Sequence, residues 1–337
     1  MDNNNTLGII DLIKTNKKLK DKWDMLSSAS QRYLKEVDEK KRVPNLLSDH
    51  IFKKIFDPEV NPDQLSKLIS SVLGRELTVK RVLDKEGIML SEDSKGIIMD
   101  VPVEFSDGSM ADVEIQRRGV DMPPQRSAVY SANMLTSQYT KAKGQNKSEI
   151  DYESVRPVFT IIIMEKSPDM FHNNPDYHHH FCQTSNTGVE KNVDFELLQY
   201  YDYICLDVFK KQKPHIATML EKWLKFFSIQ KVDEMIVFLS DYPEFEEAYM
   251  KAVEMMRDKD DLYNIIGEMF ASEDIVASLN KTNKSKIKRL SSELAESKKE
   301  LAERNQELAE VGQALAEKDQ ALAEKDRIIA ELMAKSQ

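Results

Sequence analysis

The chain has 337 residues, is 41% hydrophobic and 8% aromatic, and carries a formal net charge of −10. That is enough apolar material for a substantial core and excludes an intrinsically disordered chain, while two cysteines, Cys182 and Cys205, exclude a disulfide framework and fit a reducing, cytoplasmic setting. The opening MDNNNTLGIIDLIK has no basic segment ahead of a long apolar run, and no apolar stretch of about 18 residues follows, so neither a secretory leader nor a membrane span is expected.

In chain order, residues 1–44 read as a lysine-rich, amphipathic helical arm. LSDHIFKKIF opens the core as a helix capped by Ser48 or Asp49. NPDQLSKLISSVLG predicts a second helix that stops at Gly74. Residues 77–90 supply a first strand region.

The next segment, KGIIMDVPVEFSDGSMADVEIQRR (95–118), is a hairpin whose register decides what it can do. A two-residue Asp107-Gly108 turn would set Asp100 opposite Ile115 and send Asp100 and Glu114 to opposite faces. A three-residue loop, Ser106-Asp107-Gly108 with Gly108 left-handed, shifts the pairing by one. Phe105 then faces Ser109, Val103 faces Ala111, Val101 faces Val113 and Met99 faces Ile115, all on one apolar face. The other face brings Asp100 opposite Glu114 and Ile98 opposite Gln116. Only this register separates an apolar from a polar face, and cross-strand Cβ atoms roughly 4.5–5.5 Å apart let two carboxylates share one divalent ion. The same alternation also describes an ordinary solvent-facing polar face.

PQRSAVYSANMLTSQYTKAKG predicts a helix ending near Gly144, and the β-branched run VFTIIIM predicts a strand buried on both faces. The order is αβββαβ. Residues 171–284 add strand and helix. Of the histidines in this part, His178 and His180 share a strand face with Cys182, but no second ligand cluster at zinc-finger spacing accompanies them, so a polar strand is the reading. From about Ile216 to Phe270 the chain is helical, with Leu220, Trp223, Leu224 and Phe227 as a core stripe. Residues 285–337 form a heptad tail: Ile287, Leu294, Leu301, Leu308, Leu315, Leu322 and Ile329 recur every seven. The companion seam position is only half apolar, so the tail is either a weak homodimeric coiled coil or a lone charged helix.

The segments SDHIFKKIF (48–56), IIMDVPVEFSDGSMADVEIQRR (97–118), PPQRSAVYSANMLTSQY (123–139) and RPVFTIIIMEKSP (156–168) together resemble the PD-(D/E)XK nuclease family transposases. The resemblance spans about residues 45–240. It implies an α/β (α+β) fold with a restriction-endonuclease-like αβββαβ core over 45–170 and a mixed sheet. The added C-terminal strand and helices of 171–284 and the terminal coiled-coil helix would follow it. It also implies an active site of Asp100, Glu114 and Gln116, and DNA as the partner. Many nucleases of that superfamily carry lysine where this chain has Gln116, and a neutral amide supplies no positive charge.

In such a site Asp100 and Glu114 would hold Mg²⁺ (or Mn²⁺), with the backbone carbonyl of Ile115 as a third ligand and Gln116 orienting a water. Arg126 and Tyr130 lie four apart on the following helix, hence on one face, and resemble polar positions that the family presents near the scissile phosphate, or are a plain surface pair on an amphipathic helix. Arg117 and Arg118 at the strand end offer charge to a backbone phosphate, or are plain solvated charges. The net charge does not oppose this. Residues 1–56 hold 12 basic against 8 acidic side chains, whereas residues 143–284 hold 16 against 25. The distribution predicts weak, salt-sensitive, metal-dependent DNA contact. Two functions remain: a metal-dependent DNA endonuclease of recombination or mobile elements, and a catalytically inactive nuclease fold that binds DNA or protein and assembles through its tail.

Overall fold

The computed structural model describes residues 7–83, 99–119, 122–145, 152–184, 197–212 and 215–335. Contacts divide the chain into two compact units, residues 1–271 and 272–337.

The first unit opens with three short helices, α1 (Ile9–Thr15), α2 (Lys17–Met25) and α3 (Ser28–Asp38). Asn16 caps α2 by accepting from the amides of Lys18 and Leu19. Ile9, Ile13, Leu19 and Leu34 are buried in the main core cluster. The stretch expected as an arm is therefore packed into the first unit. Most of its lysines are exposed, while Lys22 lies over the Tyr263 ring.

Helices α4 (Asp49–Ile55) and α5 (Pro62–Leu73) follow, and α5 ends at Gly74 with φ +65° as the sequence predicts. Ser48 precedes α4, yet its hydroxyl donates to Glu268 instead of capping. The six strands are β1 (Val79–Val82), β2 (Val101–Phe105), β3 (Met110–Gln116), β4 (Val158–Met164), β5 (His178–Phe181) and β6 (Gln199–Cys205), in the sheet order β1-β2-β3-β4-β6-β5. β1, β2 and β3 are antiparallel, β3–β4 and β4–β6 are parallel, and β5 lies antiparallel on the edge. The result is a mixed sheet whose connection from β3 to β4 is α6 (Pro124–Gln145). This is the αβββαβ order of an α/β nuclease-like core.

The β2–β3 ladder pairs Val101 with Val113 and Val103 with Ala111, the three-residue-loop register. Phe105 N–H donates to Ser109 O, Gly108 N–H donates to Phe105 O, and Gly108 has φ +84°. One part of the expected pairing differs. Met99 precedes the strand and packs with Met110 in a second cluster, not opposite Ile115, because Asp100 forms a bend where regular alternation stops. Ile98 lies outside the described residues.

Both sheet faces are covered. The main cluster takes Val101, Val103, Phe105, Val113, Ile115 and Ile161 against α4, α5 and the helices α8 (Met219–Ser228), α9 (Val232–Asp241) and α10 (Glu246–Met255). At its centre Trp223 sits edge-on to Phe56 and Phe245, with ring centroids 5.3 and 4.5 Å away. The opposite face carries a smaller cluster that includes Met99, Met110, Met134 and Met164 with Tyr130 and Ile162 under α6. The methionines, scattered in sequence, thus meet beneath one helix, where unbranched side chains fill irregular space. The polar face expected on the hairpin is consequently roofed by α6.

After β6 the chain turns into α7 (Leu206–Gln212), and α11 (Lys259–Lys335) ends it. Leu262, Ile265 and Ile266 of α11 are buried in the main core. Within residues 272–337, Leu294, Leu301, Leu308, Leu315 and Leu322 are 58–69% exposed. Gly312 is accommodated without a break, and a Cβ there would meet open space. Among the described residues no helix is long and apolar enough to cross a membrane.

Candidate functional site

Period-two alternation places Met110, Asp112, Glu114 and Gln116 of β3 on the face under α6. Asp112 and Glu114 are fully buried. At the entry to β2, two successive amides turn to these acids: Asp100 N–H donates to Glu114 Oε1 at 3.1 Å, and Val101 N–H donates to Asp112 Oδ1 at 3.3 Å. Asp100 and Glu114 thus meet through the Asp100 amide; they are not a ladder pair, and the Asp100 carboxylate turns to Lys53. Gln116 joins them, its Nε2 donating to Glu114 Oε2 at 3.3 Å. Ile115 sits between, opposite Ile163 of β4, with its side chain in the main core.

Two residues of this cluster were not picked out by the sequence reading. Asp112 shares the Glu114 face by simple alternation, and its buried Oδ2 has no partner other than the Glu114 carboxyl. Lys53 comes from α4: its Nζ lies 2.8 Å from Asp100 Oδ1 and 2.8 Å from Asp49 Oδ1. No spacing rule links α4 to the hairpin, so only the fold reveals this pair.

Burial pushes the Glu114 carboxyl well above the usual carboxylate range, and the nearby charges of Asp112 and Asp100 add to it. Burial also raises Asp112, offset in part by its hydrogen bond with Glu114. Lys53 is held firmly protonated: its burial opposes the charge, but the adjacent carboxylates of Asp100 and Asp49 outweigh it.

On the α6 side, Arg126 Nη2 is 3.9 Å from Glu114 Oε2, and Arg126 Nε donates to Tyr130 Oη at 2.7 Å. Tyr130 is 5% exposed with its ring in the second cluster, so it supports Arg126 and is not a surface group. Arg117 is exposed and paired with Glu165 at 3.6 Å; Arg118 follows it at the strand end.

Three carboxylates, one of whose buried oxygens meets only another carboxyl, match the hard-oxygen preference of Mg²⁺ or Mn²⁺. Among the described residues, however, no three His, Cys, Asp or Glu side chains converge as a preformed metal site. The donors fit such an ion in kind, while their oxygens are engaged by backbone amides and by Lys53. The same holds on the opposite face of the sheet. There His178 Nε2 and His180 Nδ1 both meet Asp202 Oδ1, at 2.7 and 3.0 Å, so these histidines anchor the edge strand to a buried carboxylate. Cys182 is exposed.

A family model described as PD-(D/E)XK nuclease family transposase matches residues 46–282. No curated protein and no solved structure matches the chain.

Proposed function

Because the chain belongs to the PD-(D/E)XK nuclease family transposases, we propose that it is a metal-dependent DNA endonuclease that hydrolyses phosphodiester bonds during recombination or mobile-element activity. The observation that carries this reading is the Asp100–Glu114 contact, formed by a register that also puts Asp112 and Gln116 on the same face. Asp100 and Glu114 would hold Mg²⁺ or Mn²⁺, with the Ile115 carbonyl and Asp112 in reach along the same strand. When bound, the ion would lower the pKa of a coordinated water and neutralise charge on the scissile phosphate.

The chain's own residues do the rest. Gln116, already bonded to Glu114, is placed to orient a water by its amide. Arg126, braced by Tyr130, brings a guanidinium to the edge of the cluster, where it can hold a phosphate oxygen. Arg117 and Arg118 extend that charge along the strand end. The burial of Glu114 excludes bulk water from the acids and keeps their number of charges low until a cation arrives.

A second reading, an inactive nuclease fold that binds DNA or protein, is favoured by the full burial of Glu114 and by Gln116 in place of a lysine. Plasmid nicking decides between the two. The wild-type chain is expected to nick in Mg²⁺ or Mn²⁺ and stop in EDTA, and Asp100→Ala to lose the activity. Equal nicking by both proteins would sink the site, and no nicking in either metal would favour the binding module.

The heptad tail is proposed to pair two copies of the chain, which would supply two cleavage centres for the two strands of a duplex.

A further inference from the structure

The β3 motif ends in Gln116, so the strand offers no positive charge beside its carboxylates, yet the fold brings one from elsewhere. Helix α4 is seven residues long and is fixed from below by Ile51, Phe52 and Ile55, each 1% exposed. Its N-terminus is tied to α11: Ser48 Oγ and His50 N–H both donate to Glu268, at 2.6 Å. Asp261 of α11 also pairs with His50 at 2.8 Å and with Lys54 at 2.5 Å. With the helix held at both ends, Lys53 is aimed at Asp100.

Lys53 and Asp100 border a cleft of about 180 Å³ whose other walls include Val82, Val101, Asp57 and Glu59. The lysine side chain is 27% exposed, so it is reachable from that cleft while both carboxylate contacts are made. An ammonium has three N–H donors. Three carboxylate oxygens, both of Asp49 and one of Asp100, lie within 2.9 Å of it, so a phosphate oxygen would take the place of one of the two Asp49 contacts. The acidic walls at Asp57 and Glu59 make an isolated anion unwelcome, so an incoming phosphate would need a cation already in place.

We propose that Lys53 is the compact positive charge of this site, presented from α4 where Gln116 presents none, and that it binds a non-bridging phosphate oxygen of DNA next to the Asp100 carboxylate. This rests on the nuclease reading above. Arg126 serves the Glu114 side of the cluster, under α6, and Lys53 the Asp100 side, from α4.

The test uses the full chain with Lys53→Met and Lys53→Arg. In Mg²⁺, the single-turnover nicking rate of Lys53→Met is expected to fall roughly 10²-fold, the loss typical of removing one fixed donor at a site of developing charge. Lys53→Arg is expected to recover most of it. Calorimetric Mn²⁺ binding should be unchanged or tighter in Lys53→Met, since a competing cation is gone, and its melting temperature should stay near that of wild type. Wild-type nicking by Lys53→Met overturns the proposal while leaving the nuclease reading intact. So does a loss of Mn²⁺ binding that Lys53→Arg fails to restore, which would make Lys53 only a positioning group for Asp100.

If the wild-type chain nicks in no metal, binding of a short duplex in Ca²⁺ gives the answer. A tenfold weaker Kd for Lys53→Met, restored by Lys53→Arg, keeps the phosphate contact although the nuclease reading has failed. Unchanged or undetectable duplex binding overturns it.

Discussion

The amide of Asp100 donates to Glu114 Oε1 across the hairpin at 3.1 Å, so the first residue of the site is held by the second before any ligand is considered. That contact depends on the three-residue loop, and the loop depends on Gly108 at φ +84°. A Cβ at this position would lie 3.2 Å from Arg156 Cγ in a left-handed conformation. Gly108→Ala is therefore expected to cost roughly 1–2 kcal/mol in urea denaturation while nicking per folded molecule is kept, because the ladder still sets the register. Removal of one strand residue, Glu104, moves every β2 residue before it by one place in the ladder and turns its side chain to the other face. That variant should lose nicking altogether, and retained activity would show that the register is not what builds the site.

The pH dependence of stability should carry the signature of Glu114. Its carboxyl is raised by burial from an ordinary value of 4.5 and raised further by Asp112 and Asp100. A group whose folded pKa is raised contributes stability that is fully present below the unfolded value. That stability is lost as pH climbs toward the folded one, since the unfolded chain gives up its proton first. In EDTA the melting temperature should therefore drop as pH rises above about 5, and Glu114→Gln should flatten the slope. A stabilisation of about 1 kcal/mol corresponds to roughly 2–4 °C in a domain of this size. Saturating Mn²⁺ should raise the wild-type melting temperature, most at high pH, and leave Glu114→Gln nearly unmoved. A pH-independent melting curve in EDTA would remove the basis for a neutral Glu114.

How much of this could be read in the residues varies with the range of the interaction. The hairpin register was legible because alternation and a Ser-Asp-Gly loop are local, and the β4 run VFTIIIM was legible because a strand buried on both faces is apolar throughout. Met99 escaped because a bend at Asp100 breaks the alternation one residue too early. Asp112 was visible on the Glu114 face but went unused, since nothing in the pattern told a buried acid from a solvated one until α6 was seen to roof it. Lys53 was not legible at all: its approach to Asp100 is made by the packing of α4, and helical periodicity says only which side of α4 it shares. The amphipathic pattern of residues 1–44 likewise shows an apolar stripe without showing where it packs, and Ile9, Ile13, Leu19 and Leu34 join the main core.

Arg126 should reveal itself in the salt dependence of DNA binding. Its guanidinium is 3.9 Å from Glu114 Oε2 and is held by Tyr130, whose ring is buried. If it neutralises one phosphate, Arg126→Ala lowers the slope of log K against log salt by about 1. Tyr130→Phe removes the hydroxyl that fixes the guanidinium but keeps the ring in the core. It should weaken binding by less than Arg126→Ala, and without the slope change. Identical slopes for wild type and Arg126→Ala would place Arg126 outside the DNA contact.

The tail makes the last prediction. Leu294, Leu301, Leu308, Leu315 and Leu322 recur every seven residues on a continuous helix and stand 58–69% exposed. Each such leucine, fully buried, contributes about 1.5–3 kcal/mol, so a seam of five is enough to pair two helices even though Arg304, Lys318 and Lys325 occupy companion positions and weaken it. The intact chain is expected to run as a dimer in light scattering coupled to gel filtration. Removal of residues 285–337 should halve the mass, and Leu308→Asp with Leu315→Asp should do the same without shortening the chain. Because the first unit carries its own core, the truncated protein should keep its melting transition and its single-strand nicking, while double-strand cuts become two independent events. An unchanged mass after truncation would mean the tail is a solitary helix, and the pairing of two cleavage centres would have to be abandoned.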